Sequence, residues 1–169
     1  MVYAVPEMTN IQVPDNSSGD EAFVSYKDGR EVSSYTNGEL ANHARTLWDS
    51  HFKSSDNLHP MFMSVNLETP LAFTAFLANN ANHHKVFIPS TFNMSKILNS
   101  FKTQNPDTVV VDQEFYELDV PLSRGQDIEE LNKRVKNIVV SSSSGSKPGR
   151  SHLFQGAASA YDPYKLGSL

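Results

Sequence analysis

The chain has 169 residues, long enough for one domain with a sizeable core. Its 14 Lys and Arg against 19 Asp and Glu leave a formal charge of −5, which argues against a nucleic-acid surface and against adhesion to anionic lipid. With no cysteine, disulfides, thiolate catalysis and cysteine-ligated metal centres are excluded, and no apolar run reaches the roughly 20 residues that cross a bilayer.

Residues 1–20 carry two prolines and a polar Asp-Asn-Ser-Ser-Gly-Asp run, and read as a flexible lead-in without the charged and apolar regions of a secretory signal. An α/β domain is expected over 21–150. Segment 22–26 alternates as a strand, Asp28-Gly29 is a hairpin signal, and 31–35 returns. Thr36 and Glu39 form a capping box that opens a helix to about residue 52, with Leu40, Ala44, Leu47 and Trp48 on one face.

Between 60 and 112 apolar runs alternate with helical patterns. Strands are expected at 61–65, 85–89 and 108–111, and helices at 69–79 and 93–101. Thr69 is the N-cap of the first helix, with Pro70 at its opening position. Near-continuous apolar strands alternating with helices imply a mostly parallel sheet covered by helices on both faces. Val65, Pro89 and Val111 are expected to end adjacent parallel strands, with Phe73, Phe76 and Leu98 buried against them. The aromatic series Phe73, Phe76, Phe87, Phe92 and Phe101 reads as core.

Residues 112–128 read as an irregular connection, 127–136 as a short helix and 137–140 as a further apolar strand. The tail, 151–169, is weakly patterned. The histidines read as solvated: His83 and His84 are adjacent, and His43 and His51 are eight apart rather than at the i, i+4 spacing of a helical metal pair. The segment 79–84 reads as a polar loop. Asp127, Glu129 and Glu130 read as surface charge. A Ser–His–Asp triad assembled from one of Ser141 to Ser144 with His152 and Asp162 lacks the Gly-x-Ser-x-Gly elbow.

The segment that looks like a ligand grip is Ser141, Ser142, Ser143, Ser144, Gly145 and, two residues on, Lys147. Small residues after an apolar strand let backbone N–H groups approach an anion, and Lys147 or Arg150 adds charge. The competing reading is a flexible serine-rich linker.

This order of elements resembles the N-terminal subdomain of the adenylate-forming acyl-CoA synthetase and ligase superfamily. The similarity rests on the hairpin, the Tyr35-to-Leu40 helix opening, the strand running to Asn66, the helix from Pro70 to Leu77 and the strand ending at Pro89. It covers about residues 20–150. In that family a Thr-Ser-Gly-Thr-Thr-Gly-x-Pro-Lys-Gly phosphate loop follows the next strand, where Ser141 to Arg150 stand here. This loop departs from it: Lys147 precedes Pro148, and Gly149 follows. The resemblance implies ATP or AMP with Mg as the nucleotide and an acid–thiol ligase reaction. The family's later adenylation residues have no counterpart in these 169 residues, so complete ligase chemistry by this chain alone is not expected.

Two functions follow. In one, the chain is a non-catalytic ligase-like domain acting as a binding or scaffolding subunit of a larger assembly. In the other, it is a fragment or split part of an ATP-dependent acyl-CoA ligase. A protein partner, or the remainder of a ligase, is implied by both. An intracellular, cytoplasmic location is expected, with mitochondria and peroxisomes left open; the final Gly-Ser-Leu lacks the basic middle residue of the peroxisomal address.

Overall fold

The computed structural model describes residues 21–53, 58–90, 93–143 and 147–167. Two strands, β1 (Glu21–Lys27) and β2 (Arg30–Thr36), form an antiparallel hairpin. Asp28 and Gly29 both take positive φ, 54° and 76°, as a two-residue hairpin turn requires. Thr36 then caps α1 (Asn37–Leu47), receiving the Glu39 N–H while Glu39 reaches back to the Thr36 N–H. A single π-helical turn, Trp48–Phe52, prolongs this helix and buries Phe52.

The main sheet has five parallel strands in the order β4-β3-β5-β6-β7. These are β3 (Met61–Ser64), β4 (Val86–Phe87), β5 (Thr108–Asp112), β6 (Asn137–Ser141) and β7 (Ala158–Tyr161). Helix α2 (Pro70–Ala81) joins β3 to β4, and α3 (Met94–Gln104) joins β4 to β5. A short helix α4 (Gln113–Tyr116) and then α5 (Gly125–Arg134) lead to β6. Strand alternation sorts the side chains. Phe62, Val109, Val111, Ile138 and Val140 face a core containing Ile97, Leu98, Phe101 and Leu131 of α3 and α5. Met61, Met63, Val110 and Val139 face Ala44, Leu47, Leu71, Ala75 and Ala78 of α1 and α2. The expected α/β architecture, a mostly parallel sheet with helices on both faces, is the observed one. No helix among the described residues is long and apolar enough to cross a membrane.

Three expectations are corrected. Phe73 and Phe76 are 41% and 40% exposed. Helix α2 buries Ala72, Ala75 and Ala78 in the core it shares with α1 and the sheet, and their small side chains allow close approach. The two rings are left on the outer side, where Phe73 stacks on Phe23 of the hairpin at 5.2 Å. Of the aromatic series, Phe87 and Phe101 are core, and Phe92 lies outside the described residues. The segment 79–84 is no surface loop throughout. Asn79 is fully buried inside α2, and His84 is 3% exposed. His84 Nδ1 lies 2.6 Å from Asn79 Oδ1 and its Nε2 lies 2.9 Å from the His59 carbonyl, so polar partners make burial tolerable. His83 supplies the turn with a positive φ of 57°. Finally, the weakly patterned tail carries β7, a strand that its composition does not announce.

Candidate functional site

In this strand order β4 lies on one side of β3, and β5, β6 and β7 lie on the other. The chain direction of winding therefore reverses between β3 and β5. Ligand crevices of open α/β sheets form at such a point, outside the carboxyl ends of the strands. A cleft of about 490 Å³ lies there, lined by Asn66 and Thr69 after β3, Asp112 and Glu117 around α4, and Ser141 and Ser143 at the end of β6.

Each wall is set by local capping. Thr69 Oγ1 donates to the Asn66 carbonyl at 2.8 Å and accepts the Ala72 N–H, opening α2 beside the cleft. Asp112 Oδ1 accepts the Phe115 N–H at 2.7 Å, opening α4. Burial pushes the Asp112 carboxyl above its ordinary value, opposed by that hydrogen bond and aided by neighbouring Glu114. After β7, Pro163, which lines the cleft, accepts the Leu71 N–H on its carbonyl at 3.2 Å, and further on Tyr35 receives the Leu166 N–H on its hydroxyl at 2.8 Å. The tail after β7 is thus strapped over the carboxyl edge.

The serine-rich segment begins in this cleft, and the structure distributes its residues unevenly. Ser141 and Ser143 line the cleft. Ser142 is fully buried: its N–H donates to the Tyr161 carbonyl at 2.8 Å and its hydroxyl donates to Gln113 Oε1 at 3.0 Å. Lys147 is exposed and stands outside the cleft wall, while Ser144 and Gly145 lie outside the described residues.

Two residues that sequence reasoning passed over organise the loop. Gln113 opens α4 and Glu117, four residues on, directly follows its last residue, and Gln113 Nε2 donates to both Glu117 carboxylate oxygens at 3.4 and 3.3 Å. Glu117 Oε1 also accepts the Gly149 N–H. The series Ser142–Gln113–Glu117–Gly149 therefore ties both ends of the serine segment to one short helix. A Cβ at position 149 would stand 2.5 Å from Glu117 Oε1, so glycine there permits the close approach. The readable signal was the Gln-x-x-x-Glu spacing directly after an apolar strand.

Chemically, the cleft presents acceptors. Asp112, Glu114 and Glu117 line it, and among its described lining residues there is no lysine or arginine. Of the triad candidates among the described residues, Ser142 is engaged by Gln113, Asp162 Oδ1 accepts the Tyr164 N–H, and His152 is exposed; Ser144 lies outside the described residues. Asp127 pairs with Lys102 and Arg124 rather than standing free on its helix.

The architecture has a counterpart among solved structures. It is similar to part of an acyl-CoA synthetase. One such match is to O-succinylbenzoate coenzyme A synthetase (MenE) from Bacillus subtilis, solved in complex with AMP, with a TM-score of 0.53 at 12% identity. It covers 78% of this chain and 26% of that one, so the chain spans about a quarter of the length of the ligase it matches. No protein-family model matches the sequence, and no curated protein matches it.

Proposed function

We propose that the chain is a ligase-like domain without catalytic activity of its own, acting as a binding or scaffolding subunit of a larger assembly. The observation that carries this reading is the hydrogen bond from the Gly149 N–H to the Glu117 carboxylate. In a phosphate loop, backbone N–H groups point at the anion. Here the donor at the loop's end is directed to a carboxylate of the same chain, and the cleft adds Asp112 and Glu114 beside it. A polyphosphate entering this cleft meets like charge and no basic side chain among the described lining residues. The donor set is a poor fit to ATP or AMP, and no chemical step is assigned to it.

The expected result of thermal melting with millimolar ATP and MgCl2 is no saturable rise in melting temperature. Binding at a hundredfold excess over Kd would stabilise the fold by roughly 2.7 kcal/mol, well within the reach of the measurement. The purified chain is likewise expected to form no acyl-adenylate or thioester from ATP, CoA and a carboxylic acid.

A second reading has one observation in its favour. The likeness to a ligase solved with AMP extends over 78% of this chain. In that reading the chain is a fragment or split part of an ATP-dependent acyl-CoA ligase, and its serine loop keeps phosphate affinity with Lys147 as the nearest cation. A saturable ATP-dependent rise that disappears in Lys147→Ala selects it over the first.

A further inference from the structure

On the other side of the strap after β7 lies a second cavity, of about 410 Å³ and distinct from the carboxylate-lined cleft. Leu47, Leu71 and Leu166 supply apolar wall, His43 and Tyr161 supply polar groups, and Thr46 stands at the rim. Positions 43, 46, 47 and 50 form one stripe of α1 carried on through the π-helical turn, so a single helix face builds one side. Single π turns inside helices are frequent at functional sites. The turn has a definite consequence here: it carries His51, whose Nε2 lies 2.6 Å from the Tyr161 hydroxyl.

The chemistry of that pair defines what the cavity accepts. Burial holds the His51 imidazole below its ordinary value and pushes the Tyr161 phenol above its own. The consistent arrangement is a neutral imidazole accepting the Tyr161 O–H at Nε2. The Tyr161 oxygen then keeps lone pairs to accept from a third group. His43 is likewise held low by burial, only partly offset by Glu39. The cavity is lined by neither lysine nor arginine and neither aspartate nor glutamate among the described residues.

We propose that this cavity binds an uncharged, mostly apolar aromatic molecule of about two rings that carries one hydroxyl, donated to the Tyr161 oxygen. Size supports two rings, since a dry apolar cavity of about 150 Å³ already takes up benzene. Small-molecule sites of roughly 300–1,000 Å³ are mainly apolar with a few convergent polar groups, and this one has that composition. A carboxylate ligand is disfavoured, because no lysine or arginine stands among the described lining residues to pair it and its desolvation would be uncompensated. The inference uses residues apart from the Glu117 cleft and stands or falls independently of the function proposed above.

The test uses the full chain at neutral pH with 2-naphthol as probe, and naphthalene and 2-naphthoate as comparators, read by calorimetry and by thermal melting. One saturable site for 2-naphthol is expected, several-fold tighter than for either comparator. Tyr161→Phe should abolish the preference for naphthol over naphthalene while leaving naphthalene binding within twofold. Thr46→Trp, an exposed helix position at the rim, should plug the cavity and weaken naphthol at least tenfold with the melting temperature of the free chain unchanged. If Thr46→Trp does not fold, Ser50→Trp serves the same purpose from the neighbouring rim position. Absence of saturable naphthol binding overturns the proposal, as does a plugged, folded variant that binds as well as the parent. Tighter binding of 2-naphthoate than of 2-naphthol overturns its stated chemistry.

Discussion

The two faces of the sheet are built from different materials. The face under α3 and α5 is an aromatic stack: Phe62 lies 4.4 Å from Phe101 and 6.0 Å from Phe115, and Phe154 joins Phe115 and Tyr116 at 6.4 and 6.0 Å. These separations fall in the range where ring pairs add to plain area burial. The face under α1 and α2 is built mostly from alanine, leucine, methionine and valine, with Phe52 as the one fully buried ring among its described residues, and it holds the buried Asn79–His84 pair, two half-buried histidines and the 410 Å³ cavity. Rings fill space and leave little room for polar chemistry. Small side chains bring helices close, and the irregularities that remain become polar nodes and cavities. One face is a foundation, and the other carries the half-buried histidines and the cavity.

The largest effect should come from the aromatic face. Phe62→Ala removes a fully buried ring from the centre of that stack and is expected to cost about 3–5 kcal/mol in denaturant unfolding. On the opposite face, Asn79→Leu preserves volume but strips His84 Nδ1 of its partner and the Ala75 carbonyl of a 2.8 Å donor. A buried polar group left unpaired costs about 1–3 kcal/mol, so this loss should be smaller. A larger loss for Asn79→Leu than for Phe62→Ala would reverse the roles assigned to the two faces.

The sequence was legible where one physical signal dominates. Hairpin turn, capping box, proline-opened helix and apolar strands are each written in two to five adjacent residues, and all formed in place. The Phe73 and Phe76 rings defeated the reading because apolar periodicity does not say which side of a helix lies against the sheet. That was decided by Ala72, Ala75 and Ala78, whose lack of bulk is a tertiary advantage invisible to hydropathy. Strand β7 was missed because Ala158–Tyr161 is a short edge strand of small residues, drawn into the sheet by pairing with β6. In the candidate site, the serine segment was singled out but the partners of its ends were not. Gln113 and Glu117 are remote in sequence from Gly149, and only the fold joins them.

A pH titration should separate the faces further. Burial lowers His43 and His51 below their ordinary value of 6.5, and both belong to the α1 and α2 side. Below about pH 6.5 the unfolded chain therefore binds more protons than the folded one, and stability falls with acid. It is fully present above that value. Asp112 has the opposite sign: its carboxyl is raised above 3.8, so the fold retains a proton that the unfolded chain releases, and acidification through that lower window favours the fold. The melting temperature is thus expected to decline from about pH 7 to 5, and His43→Phe with His51→Phe should flatten the decline. An unchanged slope in the double variant would place the acid response elsewhere.

The smallest effect should come from charge on the outside of the aromatic face. Lys102 Nζ lies 2.6 Å from Asp127 Oδ1 and bridges α3 to α5, with the lysine side chain 53% exposed. The hydrogen bond and charge of Lys102 come first among the influences that hold the Asp127 carboxyl below its ordinary range, and Arg124 stands at 3.5 Å as a second cation. In Lys102→Ala the carboxylate keeps that arginine, and the lost attraction acted through water, which screens it. Midpoints in denaturant should therefore be indistinguishable between variant and parent, at low ionic strength and in 1 M salt alike. The preceding residue makes the contrast sharp. Phe101, next to Lys102 on the same helix, is 4% exposed against Phe62, and Phe101→Ala should lose nearly as much as Phe62→Ala. If Lys102→Ala instead destabilised the chain comparably to Phe101→Ala, the aromatic stack would not be what holds α3 to the sheet.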